Sequence, residues 1–203
     1  MLSNMKTILI NNHPQCIEKI IKGEKRIEIR PFELETPFKV VVYCTKKNDE
    51  FIKRCKEIQN KLYESHYLNS RAERVLRGVG KVVLEYVVNE VDDILLHTHS
   101  FEKKKERILR DSCLSEQELK KYLKCDINGK SNAGKAWYIS QLKVFETPKE
   151  LGDFFKIDCA SEHCSSCNYS TVEKKGDRFQ YICSAIVTRP PQNFMRVWEI
   201  KEL

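Results

Sequence analysis

Lys25, Glu28 and Arg30 place two cations and a carboxylate within one short run, Gly23-Glu24-Lys25-Arg26-Ile27-Glu28-Ile29-Arg30. Such a trio can hold a phosphate on its ammonium and guanidinium while the carboxylate accepts from an amino or hydroxyl group. A lysine partly desolvated in a cleft can also give up its proton and act as a base. The plainer alternative is an ion-pair ladder on a sheet surface, worth under about 1 kcal/mol per pair. A second cluster lies far along the chain, where Cys159, Cys164, Cys167 and Cys183 are separated by four, two and fifteen residues. The two-residue gap suits a pair of thiolates gripping one tetrahedral ion, and four thiolates would close a structural zinc site with no open position for chemistry. His163 stands beside Cys164 and can replace one sulfur. Four reduced cysteines in a loosely ordered insertion are the alternative.

The elements that must position the first trio are legible. Pro14 suits a first helical position, and Ile17, Ile20 and Ile21 recur at three-and-four spacing, giving one apolar stripe with Asn12 as its expected cap. Gly23 stands where a helix stops, since glycine enters the left-handed region without steric cost. The strand Lys25 to Arg30 follows. Alternation turns Ile27 and Ile29 to a core and Arg26, Glu28 and Arg30 to the other face, while a bend beside Gly23 or an open strand end brings Lys25 near the carboxylate.

Around this centre, Lys6 to Ile10, Lys39 to Cys44, Lys81 to Val88, Ala136 to Phe145 and Phe194 to Ile200 read as strands. Val91 to Leu96 reads as a strand end or a short helix. Residues 49 to 78 carry apolar positions at helical spacing among balanced charges, a helical insertion whose polar face is either solvated or an arm for nucleic acid. Phe101 to Arg110 is a locally basic helix or loop. Ser115-Glu116-Gln117-Glu118 is a capping box that starts a short helix. Pro148-Lys149-Glu150-Leu151 opens a brief helix before the cysteines, and Arg189-Pro190-Pro191 forces an extended turn.

The motif Gly23-x-Lys25-x-x-Glu28-x-Arg30, preceded by His13-Pro14 and the isoleucine-rich helix, resembles the signature of the ASCH domain family. Val41-Val42-Tyr43-Cys44-Thr45-Lys46, Gly134-Lys135-Ala136-Trp137-Tyr138-Ile139-Ser140 with Pro148-Lys149-Glu150-Leu151, and Thr188-Arg189-Pro190-Pro191-Gln192 resemble the ASCH proteins of Firmicutes and their phages. The likeness spans nearly the whole chain. It implies an α+β fold, a PUA-like small mixed β-barrel with flanking helices, a helical insertion and a Cys-rich C-terminal insertion. Residues 1-150 would form the barrel, 151-188 the zinc-binding insertion and 189-203 a final strand completing the barrel.

The resemblance implies binding of RNA, a nucleotide or a nucleoside in a cleft lined by Lys25, Glu28 and Arg30. Trp137 would stack on an unpaired base, and His13, Thr45, Arg189 and Gln192 would complete the rim. It implies a second function too, because some small relatives are amidohydrolases acting on acylated cytidine with the motif lysine as base. Those carry a threonine nucleophile where this chain has Glu28, so Lys25 and Glu28 would have to activate water, with Asp111 as a nearby second carboxylate.

Composition bounds both readings. The chain has 203 residues, enough for one buried core with insertions, and a net charge of +7, which permits a phosphate-bearing partner without requiring one. No apolar run approaches the roughly 18 residues that cross a bilayer, and the start lacks a secretory signal, so a cytoplasmic protein is expected, while a bacterium or phage as its source is what the resemblance implies. Nine cysteines in such a compartment are thiols or metal ligands rather than disulfides, and Cys16, Cys44, Cys55, Cys113 and Cys125 are scattered as small hydrophobes.

Overall fold

The computed structural model describes residues 5–45, 80–96, 98–123, 133–156, 170–175 and 178–199. The helical insertion expected at 49–78, together with Cys159, His163, Cys164 and Cys167, lies outside the described residues.

Strand β1 (Lys6–Asn12) leads through His13 into helix α1 (Pro14–Ile21), with Pro14 in the first turn as its fixed backbone angle favours. Gly23, at φ +74°, ends the helix, and β2 (Ile27–Arg30) follows after three residues. Next come β3 (Phe38–Cys44) and β4 (Val82–Leu95). Two helices follow, α2 (His99–Ser112) and α3 (Glu116–Tyr122), the latter opened by the reciprocal Ser115–Glu118 capping box. The chain then enters β5 (Ala133–Lys149), a single 3-10 turn at Leu151–Asp153, β6 (Phe154–Phe155), β7 (Ser170–Lys175), β8 (Arg178–Cys183) and β9 (Phe194–Glu199).

One stretch takes the first of its two expected forms, and another departs from expectation. The stretch Val91 to Leu95 continues β4 as strand, because it pairs with Trp137 to Ala133 of β5. Pro148 and Lys149 end β5 rather than begin a helix, and Lys149 sits opposite Val82.

Seven strands form one mixed sheet in the order β2-β5-β4-β3-β1-β9-β6, while β7 and β8 form a separate hairpin. β1 and β3 are parallel, in register from Lys6 opposite Phe38 to Asn12 opposite Cys44. The sheet is not closed into a barrel, and β9 does not close it: β9 lies beyond β1 and extends the sheet outward. Gly80 N–H donates to Cys44 O at 2.8 Å, so the chain leaves and rejoins the sheet at one place around residues 46–79.

Alternation divides the apolar residues among three cores. Ile8, Ile10, Val40, Val42, Tyr86 and Trp137 meet Ile17 and Ile20 of α1 on the concave side. Leu9, Val41, Phe145, Phe154 and Val197 pack on the opposite side. Ile27 and Ile29 join Ile94, Phe101, Ile108 and Leu119 beneath α2 and α3. Every residue of β2 is therefore buried, its isoleucines toward the helices and Glu28 and Arg30 toward the concave core.

Candidate functional site

The bend after Gly23 turns the Lys25 ammonium back onto the strand it precedes. Lys25 Nζ lies 3.3 Å from Glu28 Oε2 and donates to Ile27 O at 2.9 Å and Ser112 O at 3.4 Å. Ser112 ends α2, whose last carbonyls lack partners within the helix. A cation there meets both an orphan acceptor and the negative end of the helix dipole. The neighbouring Arg26 N–H donates to Asp111 O at 2.6 Å, so the motif is moored to that helix end twice. The Arg26 side chain turns outward, its Nε donating to Gly23 O, and does not join Glu28 and Arg30.

Arg30 Nη2 lies 3.0 Å from Glu28 Oε1 and donates to Asn11 O and Asn12 Oδ1, each at 3.2 Å. Asn12 Nδ2 donates to Glu28 Oε2 at 3.3 Å. Asn12 therefore does not cap α1, whose cap position is His13 without a side-chain bond to the helix. These contacts join β2 to β1, four places apart in the strand order, and seal with side chains the gap that backbone pairing leaves open.

Lys25, Glu28 and Arg30 are 7%, 5% and 6% exposed, so they are a buried ionic group rather than a surface ladder. Burial opposes ionisation of Glu28, but Lys25, Arg30 and the Asn12 amide outweigh it and hold the carboxyl below its usual range. Burial likewise works against the Arg30 guanidinium, and Glu28 more than restores it. Arg30 Nε, Tyr86 Oη and Trp137 Nε1 are buried with no hydrogen-bond partner among the described residues. Tyr86, whose phenol burial keeps strongly protonated, feels the charges of Glu28 and Arg30. Trp137 is directly opposite Glu28 across β2 and β5, which puts both side chains on one face.

The other expected site residues divide. His13 Nδ1 is 3.1 Å from Thr45 Oγ1, which in turn donates to Asn12 O at 3.3 Å, so both stand beside the seam. Arg189 and Gln192 are exposed on the turn whose Pro191 O accepts from Asn11 Nδ2 at 2.8 Å. Asn11 thus links that turn to Arg30. Trp137 does not stack toward solvent: its ring is fully buried, edge-on to Phe32 at 5.2 Å and to Phe38 at 4.9 Å. Asp111 is not a partner of Glu28 but binds Arg110 Nε at 2.9 Å and lies 3.8 Å from Arg107. Of the cysteine set, Cys183 is described, with a free, half-buried thiol opposite Ser170. Among the described residues no group of three or more His, Cys, Asp or Glu could hold a metal.

Three residues that spacing did not single out also face the trio. Cys16 of α1 is half-buried, and burial pushes its thiol up while Lys25 pulls it down. Tyr86 comes from the middle of β4. Tyr122 of α3 is 44% exposed; burial raises its phenol, and the nearby Arg30 charge pulls it back down. In the sequence only helical phase bears on them, placing Tyr122 three residues after Leu119 on the same side of α3.

Similarity in structure accords with this architecture. The crystal structure of ASCH from Zymomonas mobilis aligns over 94% of this chain and 87% of its own, with a TM-score of 0.51 and 14% identity. Two point mutants of that protein align at 13% identity with TM-scores of 0.49 and 0.47. No family model and no curated protein matches the sequence. The chain has an ASCH-like fold.

Proposed function

We propose that the chain binds RNA or a free nucleotide at the seam between β1 and β2. Arg30 would take phosphate through its open Nε edge, and Lys25 would add positive charge beside it while staying on Ile27 O, Ser112 O and Glu28. Glu28 would take a base amino or ribose hydroxyl, and His13, Thr45, Arg189 and Gln192 would form the rim. The observation that carries this reading is charge. Two buried cations share one buried carboxylate, and Arg30 Nε has no acceptor among the described residues. A buried surplus cation is costly unless an anion or acceptor meets it. The ASCH-like fold adds support of a general kind only, since fold does not fix function.

Binding is favoured over hydrolysis of an acylated cytidine because each hydrogen on Lys25 Nζ already has an acceptor at 2.9–3.4 Å. A general base needs a lone pair directed at its substrate.

Thermal shift with uridine and cytidine 5′-monophosphates tests the reading. Ligand at a hundredfold over its Kd stabilises by about 2.7 kcal/mol, several degrees in Tm. That shift is expected in the native chain and lost in Arg30→Lys, which keeps the charge but not the planar fork. No shift at millimolar nucleotide sinks the proposal.

We also propose that Cys159, Cys164, Cys167 and Cys183 hold a structural zinc ion, with His163 as the alternative fourth ligand. The support is local. Cys183 ends β8 opposite Ser170, and Cys167 precedes Ser170 by three residues, a reach of about 10 Å at most. Thiolates fit zinc, and the ion would serve as a staple. Metal analysis of the purified protein should return one equivalent, falling in Cys183→Ser; well under one equivalent in the native chain removes the site.

A further inference from the structure

β9 carries an alternation that the seam does not use. Met195 and Val197 face the core under β6, so Phe194, Arg196 and Trp198 share the other face. That face prolongs the Ile8 and Ile10 side of the sheet beyond β1, since Phe194 is paired with Ile10 and Arg196 with Ile8. Phe194 is 38% exposed and stacks on Phe32, centroids 4.1 Å apart at 26°, while Phe32 meets the buried Trp137 edge-on. A row of three rings thus runs from core to surface, with Phe194 outermost. Two residues on, the exposed Arg196 guanidinium lies 4.7 Å over the half-buried Trp198 ring. The Lys6–Glu35 ion pair holds the loop rim against β1.

We propose that this aromatic-arginine-aromatic strip of β9 is a stacking track for single-stranded nucleic acid, continuing the seam site outward. The inference rests on the reading of that site as a nucleotide binder. Rings anchored on one side and open on the other present a platform to any base, and an interleaved arginine supplies both phosphate contact and planar stacking. Phe194 and Trp198 are about 13 Å apart along the strand, the length of about four stacked nucleotide steps. Arg189, exposed on the turn five residues before Phe194, adds a cation at the seam end. The deeply buried Trp137, expected to stack, is the inner support of this row, and Phe194 is its outer face.

Fluorescence anisotropy with labelled octauridylate tests the track, using Phe194→Leu and Trp198→Leu, which retain apolar bulk but remove the π-face. Each is expected to weaken binding roughly fivefold to a hundredfold. Trp198→Phe should recover most of its share, and both leucine variants should keep the nucleoside monophosphate thermal shift and the native Tm. Unchanged octauridylate affinity in the two leucine variants overturns the track while leaving the seam reading intact. Loss in those variants with no effect of Arg30→Lys on either probe upholds the track and removes the seam. Failure of the native chain to bind octauridylate overturns the track outright.

Discussion

Glu28 is where the physical stakes concentrate, because it is the one anion among buried cations. Removing one partner of a buried ionic group leaves uncompensated charge, so Glu28→Ala should destabilise the fold by about 3–5 kcal/mol. The exposed pair Lys22–Glu18, at 2.6 Å, is the control, and Glu18→Ala should cost under about 1 kcal/mol. The pH dependence follows from the depressed carboxyl. Its folded value lies below the unfolded one, so its contribution is fully present above about pH 4.5 and is lost as pH falls through the folded value. Denaturant melts from pH 7 down to pH 3 should show that acid loss in the native chain and a flatter curve in Glu28→Gln; parallel curves would contradict it. Residue types and spacing pointed to this trio, because a Lys, Glu and Arg beside a helix-ending glycine have few places to go. They could not reveal that Asn12 belongs with the trio rather than with α1, nor that Tyr86 and Tyr122 come in from β4 and α3. Those contacts depend on strand order, which local pattern does not encode.

Among the elements, the turn from α1 into β2 sets where the ammonium lands. Gly23 sits at φ +74°, and a Cβ there would meet nothing within 4 Å, so Gly23→Ala costs backbone strain alone. About 1–2 kcal/mol is expected, a few degrees of Tm, and a melt unchanged within a degree would refute that role. The start of α1 and the Ser115–Glu118 box were readable because capping chemistry is short-range. The length of β4 was not, because Val91, Asp92 and Asp93 alternate weakly and are held as strand by pairing with β5. Likewise α2 was ambiguous by charge alone. Thr98 caps it by accepting from Phe101 N–H, and Phe101 and Ile108 anchor it under β2.

At the scale of the whole molecule, the sequence pattern foretold a mixed α+β sheet with the motif at its mouth, but not how the sheet ends. A closed cylinder was expected, with the last strand completing it. Instead β9 adds to the outside of β1, and the inner gap is spanned by Arg30, Glu28 and Asn12. Apolar alternation cannot distinguish those outcomes, since it assigns faces and not neighbours. The β7–β8 hairpin forms a sheet of its own, and two strands alone are marginal in water, so the zinc site proposed there would supply support that the pairing lacks. One further consequence lies where Gly80 returns to Cys44. Because both ends of residues 46–79 meet across two hydrogen bonds, Gly80 N–H to Cys44 O and Cys44 N–H to Lys81 O, each doubling of the length between them adds only about 0.6 kcal/mol of closure cost. That junction is a natural socket, at which evolution or an engineer can exchange one cassette for another without moving a strand.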